Sequence, residues 1–212
     1  MELLQLLMNS SGQPITHQLL LSWLKDYKRP NDKIKALKSD GMITSLKKGL
    51  YIAGPKVSAS RPESGLLANH IYGPSYLSME TALSYYGLIP ERVYGVASMT
   101  TKASREFTTP AGVFTYTHLP LPYYAFGLRT VKLGEQQFAM IASPEKALCD
   151  KIISTSGLLI RSTVQAAVYL NEDLRMEESA LKELDTEMMT SWLEAAPKRE
   201  SLTMVIKMMK NL

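Results

Sequence analysis

With 212 residues, 45% of them hydrophobic and 21% charged, the chain can bury a substantial core and has the composition of an ordinary globular protein. No apolar run approaches the length of a membrane-spanning helix, and the single cysteine, Cys149, excludes an internal disulfide. The start MELLQLLMNSSG lacks the basic region of a secretory signal, so a cytoplasmic location is expected. The net charge of +4 is unevenly spread: residues 1–56 hold nine Lys/Arg against four acids, a net +5, and the other 156 residues carry −1. An anionic partner is therefore expected for the first quarter alone.

Within that quarter, Leu3, Leu4, Leu7 and Met8 share one face of a first helix, which Ser10-Ser11-Gly12 breaks. Thr16 is placed to cap a second helix with the stripe Leu19, Leu20, Trp23 and Leu24. After a turn, RPNDKIKALKSDGMITSLKKGLY (29–51) predicts a short basic helix ending at Gly41, then a hairpin whose tip is Lys47-Lys48-Gly49. Ile34 and Leu37 fall on one face of that third helix, and Asn31, Lys35, Lys38 and Ser39 on another. Three short helices followed by a hairpin is the element order of a winged helix-turn-helix, with the third helix as groove reader. The competing explanation is a small helical domain with a solvated lysine-rich face. Helix order, glycine placement and charge asymmetry together favour double-stranded DNA.

The candidate DNA-binding residues are Arg29, Asn31, Lys33, Lys35, Lys38, Ser39, Lys47 and Lys48. Lysine is a flexible point charge, so Lys33, Lys47 and Lys48 suit phosphates. Asn31, Lys35, Lys38 and Ser39 are the candidates for base edges, with capping of the third helix as an alternative role for Asn31. Residues 1–56 form the expected DNA-binding domain, 57–63 a linker rich in turn formers, and 64–212 a second, mixed α+β domain with a mainly antiparallel sheet and a helical C-terminus. The expected fold class is thus α+β, and residues 1–56 are expected to bind duplex DNA by themselves.

In the second domain, Ser64 to Ile71 and Ser78 to Gly87 read as helices, with Ser78 as a cap and Gly87 as a stop. The runs YGVASMT, REFTT, GVFTYTH, GLRTVKL and QQFAMIA read as strands, and their short connections favour antiparallel hairpins. Between them, LPLPYYAFG (119–127) carries two prolines that exclude a central strand. Ser143-Pro144-Glu145 opens a helix with a serine cap, Pro at the first position and an acid in the first turn. Further helices are expected near 163–171, 177–184, 186–196 and 199–211.

Catalytic readings of these residues are weaker. Ser143 and Lys146 match S-x-x-K, but the partner motifs S-D-N and K-T-G are absent, and a serine before proline is usually a cap. Glu145 and Asp150 diverge around a helix. His17, His70 and His118 are far apart with no ligand spacing, so neither a metal nor a cofactor is expected. Of the eight tyrosines between Tyr72 and Tyr124, Tyr123 and Tyr124 lie in the proline-flanked loop and are the candidates for an exposed partner-binding surface. Met204, Met208 and Met209 are open between core and binding surface.

YLSMETALSYYGLIP, the β-rich segment with His118 and Gly127, and IASPEKALCDKI, placed after such a beginning, resemble the AbiEi antitoxins, the transcriptional-regulator-like half of bacterial abortive-infection E systems. The resemblance runs over nearly the whole chain, and SPEKALCD is its most specific piece. It implies repression of the protein's own operon through the N-terminal domain and action against a nucleotidyltransferase-like toxin through the C-terminal one, with no catalysis. A stand-alone winged-helix regulator whose second domain senses a ligand or carries an enzymatic activity is the alternative. No heptad or interface strand enforces an oligomeric state.

Overall fold

The computed structural model describes residues 3–58, 60–91 and 93–212. It is α+β, with a small three-stranded sheet near the N-terminus and a six-stranded mixed sheet beyond it. No helix among the described residues is long and apolar enough to cross a membrane.

The first unit runs α1 (Leu3–Asn9), β1 (Ile15–Thr16), α2 (His17–Trp23), α3 (Pro30–Ser39), β2 (Ile43–Lys47) and β3 (Leu50–Ala53). Thr16 caps α2 as its position predicts, its hydroxyl accepting from the Leu19 amide at 3.2 Å. Pro30, not Asn31, opens α3, so Asn31 sits inside the first turn and is exposed; Arg29 occupies the cap position without a side-chain bond. The Lys48-Gly49 turn follows a bulge in β2, and Gly49 takes φ +84. Its carbonyl accepts from the His17 amide at 2.9 Å, which ties the turn to the start of α2.

Strand order in this sheet is β1-β3-β2, all antiparallel. Alternate residues of a strand point to opposite faces. Ile15, Ile43 and Tyr51 therefore join Leu7, Leu20, Leu24, Ile34 and Leu37 beneath the helices. Leu46, Leu50 and Ile52 face the other way, into the core of the remainder of the chain. The small sheet is a wall shared by two cores. Within the 57–63 stretch, Ala59 lies outside the described residues, and the Glu63 amide is held by the Gln137 side chain at 2.7 Å.

The second unit comprises α4 (Ser64–Ile71), β4 (Ser75–Leu77), α5 (Met79–Tyr85), β5 (Val96–Thr100), β6 (Arg105–Thr109), β7 (Gly112–His118), β8 (Leu128–Gly134), β9 (Gln137–Ala142) and α6 (Pro144–Ser154). After α6 come α7 (Thr163–Val168), continued by a π-helical turn (Tyr169–Asp173), then α8 (Glu178–Lys182), α9 (Thr186–Ser191) and α10 (Arg199–Met209). The order β6-β7-β5-β4-β9-β8 contains three antiparallel pairs and two parallel ones, β5 with β7 and β4 with β9. The parallel pairs arise because β7 returns between β5 and β6 and because β9 re-enters beside β4. All five strands read from the sequence are present. β4 escapes that reading because three residues after Pro74 are too short to carry a periodic signal.

Candidate nucleic-acid interface

Ile34 and Leu37, both buried, anchor α3 to the small core and leave its outer side to Asn31, Lys35, Lys38 and Ser39, all exposed. Asn31, Lys35 and Lys38, spaced i, i+4 and i+7, form one stripe. Lys35 lies 3.6 Å from Asp32, but both side chains are largely solvated, so the pair holds Lys35 weakly. The Ser39 hydroxyl donates back to the carbonyls of Ala36 at 3.1 Å and Lys35 at 3.3 Å. A base contact would have to replace those bonds. Lys33 is half-buried, its ammonium 5.6 Å from the Tyr27 ring centre. Arg29 and Lys48 are exposed.

Lys47 departs from the expected set. Instead of extending from the hairpin tip, its ammonium donates to the Ile71 carbonyl on the body of the protein. Burial, then the nearby cations Lys102 and Arg105, lower its pKa. Lys102 donates to the Gly73 carbonyl, two residues beyond the acceptor of Lys47, with its ammonium 5.2 Å from the Tyr72 ring centre. Arg105 stacks over Phe107 at 4.9 Å, and Phe107 lies against Tyr72 at 5.4 Å. The fold thus gathers three cations on an aromatic platform where the hairpin meets the body. Lys102 and Arg105 carry no local sequence signal, because pairing in the six-stranded sheet alone brings them beside residue 47.

The two tyrosines proposed for partner binding are also displaced. Tyr123 is fully buried, and Tyr124 is half-buried with its ring 5.0 Å from that of Tyr76. Prolines keep the 119–127 loop out of the sheet and leave Pro120, Leu121 and Pro122 exposed, but Lys146 draws Tyr123 inward. The Lys146 ammonium donates to the Tyr123 carbonyl at 3.1 Å and sits 3.4 Å from the Tyr123 ring centre. It also donates to Asp150 at 2.8 Å, and Asp150 accepts from Tyr76 at 2.9 Å and Ser78 at 2.7 Å. Ser78, expected to cap α5, binds Asp150 instead.

Ser143 caps α6 through the Lys146 amide at 3.3 Å and donates to Glu145 at 2.8 Å. Its partner in the S-x-x-K pattern is thus the backbone of Lys146, whose amine is committed to Asp150 and Tyr123. His118 is exposed, with Nδ1 3.1 Å from the Lys102 carbonyl oxygen, and His70 Nδ1 is 3.0 Å from the Leu66 carbonyl oxygen.

No protein-family model matches this chain, and no curated protein matches it significantly.

Proposed function

We propose that this protein is a winged helix-turn-helix transcriptional regulator that binds operator DNA, represses its own operon and serves as the antitoxin of an abortive-infection pair against a nucleotidyltransferase-like toxin. The outer stripe of α3 carries the DNA part of this reading. Two buried anchors fix the helix, and Asn31, Lys35 and Lys38 project from it with no strong partner among the described residues. A helix presented in this way suits the major groove, and Arg29 and Lys48 suit the flanking phosphates. The antitoxin part is supported by the resemblance to the AbiEi antitoxins. The two stretches that carry it best meet in one buried network, through Ser78 and Asp150.

The test is fluorescence anisotropy of the full chain on duplex DNA from its own upstream region. Replacing Lys35 and Lys38 with Ala is expected to weaken binding and to reduce the log-log salt slope by about 0.9 for each phosphate that is no longer neutralised. Unaltered affinity and slope would overturn the assignment of α3. Co-expression with a neighbouring nucleotidyltransferase-like gene tests the second part: growth is restored if the chain is the antitoxin, and unrelieved toxicity refutes it.

A further inference from the structure

One helical face outside both regions is left uncovered by the rest of the described residues. Val164, Gln165, Val168, Asn171 and Glu172 are all exposed, and their spacing is that of one side of a helix running along α7 and its π-helical extension; the exposed Arg161 stands just before the Ser162 cap. The middle of this face is apolar, with Val164 72% and Val168 43% exposed. Its ends carry opposite charge. At the N-terminal end, Arg161 and Arg199 of α10 border a cavity of about 450 Å³ that Leu159, Lys198 and the exposed Glu200 also line, so the cations outnumber the acid there. At the other end stand Glu172 and Asp173, both exposed. None of Arg161, Arg199, Glu172 and Asp173 is in an ion pair among the described residues.

A surface that binds itself across a two-fold axis must be self-complementary. Position 161 mirrors 172 and 164 mirrors 168 about a point near residue 166, so this face complements an antiparallel copy of itself. Arg161 precedes the cap of α7 and Glu172 lies on its C-terminal extension, so the two charges stand at opposite ends of the helix and like charges stay apart in that arrangement. We infer that this face joins two copies of the chain, α7 packed antiparallel on α7, with the valines in the middle and Arg161 and Arg199 of each copy meeting Glu172 and Asp173 of the other. Opposite charge at the two ends singles out a second copy over a partner of one sign. The contact is small, so the dimer is weak and concentration-dependent. It shares no residue with the DNA-binding reading and stands or falls separately.

Sedimentation velocity on the full chain, from micromolar to millimolar concentration, tests it. The wild type is expected to dimerise, more weakly at high salt. Arg161→Glu and Glu172→Arg, each confirmed as folded by circular dichroism, are each expected to weaken self-association roughly tenfold or more, because each places like charges opposite one another. An equimolar mixture of the two variants is expected to recover dimer, since opposite charges face each other again at every contact. A wild type that stays monomeric throughout, dimers insensitive to both substitutions, or a mixture that fails to recover would each overturn the inference.

Discussion

Lys146 and Asp150, one turn apart on α6, form an ion pair at 2.8 Å with neither side chain exposed to solvent. Removing two charges from water is costly, and the cost is offset only where the remaining hydrogen-bonding capacity is filled. Here Tyr76 and Ser78 fill it for the carboxylate, and the Tyr123 carbonyl and ring fill it for the ammonium. Desolvation still dominates both groups, pushing the Asp150 pKa up and the Lys146 pKa down. Lys146→Met strands a carboxylate and Asp150→Leu strands an ammonium, so each is expected to lose about 3–5 kcal/mol in urea denaturation. The double variant, with no charge left unpaired, is expected to lose clearly less than the sum. Full additivity would mean that the pair is not coupled.

Gly127 shows how closely the loop is drawn against that pair. It takes φ +59, and a Cβ there would lie 2.8 Å from Lys146 Cβ and 2.9 Å from Trp192 Cη2. Gly127→Ala combines a left-handed backbone with overpacking and is expected to cost about 2–4 kcal/mol. Gly87, at φ +70 with nothing within 4 Å of an added Cβ, supplies the control. Gly87→Ala is expected to cost only about 1–2 kcal/mol. Equal losses at the two positions would refute the close approach at Gly127.

How much of this was legible depended on how local each signal was. Thr16, Gly41, Gly49, Gly87 and Ser143 announce element ends through their own backbone chemistry, and each stands where the sequence places it. Ser78 does not make its expected bond: its hydroxyl is turned to donate to a buried carboxylate 72 residues away, and its oxygen accepts from no amide of α5. Lys47 and Tyr123 depart from expectation for a related reason. Hairpin tips and proline-flanked loops are exposed by default, and only tertiary contacts with Ile71 and Lys146 reverse that. Lys102 and Arg105 are invisible to any windowed reading, since sheet pairing creates their cluster.

The inward turn of Lys47 separates two adjacent residues of the proposed DNA-binding set. Its ammonium is occupied by the Ile71 carbonyl, whereas Lys48 is exposed. Lys48→Ala is expected to weaken duplex binding and lower the salt slope by about 0.9. Lys47→Met, which removes a charge that burial and the neighbouring cations Lys102 and Arg105 disfavour, is expected to affect binding less and to leave stability level or slightly raised. Equal losses of affinity would place both amines on the phosphates.

Cys149 is buried against the same network, and burial, with Asp150 adding to it, pushes its thiol up to about 12. Reactivity requires both the thiolate and access, and the folded protein offers neither at neutral pH. A thiol-specific chromogenic reagent is expected to leave the native chain unmodified and to label one thiol on denaturation. Rapid stoichiometric labelling of the native protein would contradict this packing.

The shared wall between the two cores limits how the chain can be divided. Leu46, Leu50 and Ile52 are each at most 5% exposed, and their burial is supplied by the body of the protein, not by the helices of the first unit. A fragment comprising residues 1–56 would return all three to water, along with the Lys47 amine. At roughly 1.5–3 kcal/mol for each large apolar side chain, an upper bound, the loss is about 4–9 kcal/mol, comparable to the whole stability of a small domain. The fragment is therefore expected to be unfolded or aggregated, and the full chain to unfold in a single transition, with tryptophan fluorescence, which reports Trp23 in the first unit and Trp192 in the second, coincident with far-ultraviolet circular dichroism. Replacing the three side chains in the fragment with Thr, Lys and Thr is expected to recover soluble helical protein. A wild-type fragment that is monomeric, helical and cooperatively folded would show that the first unit has a sufficient core of its own.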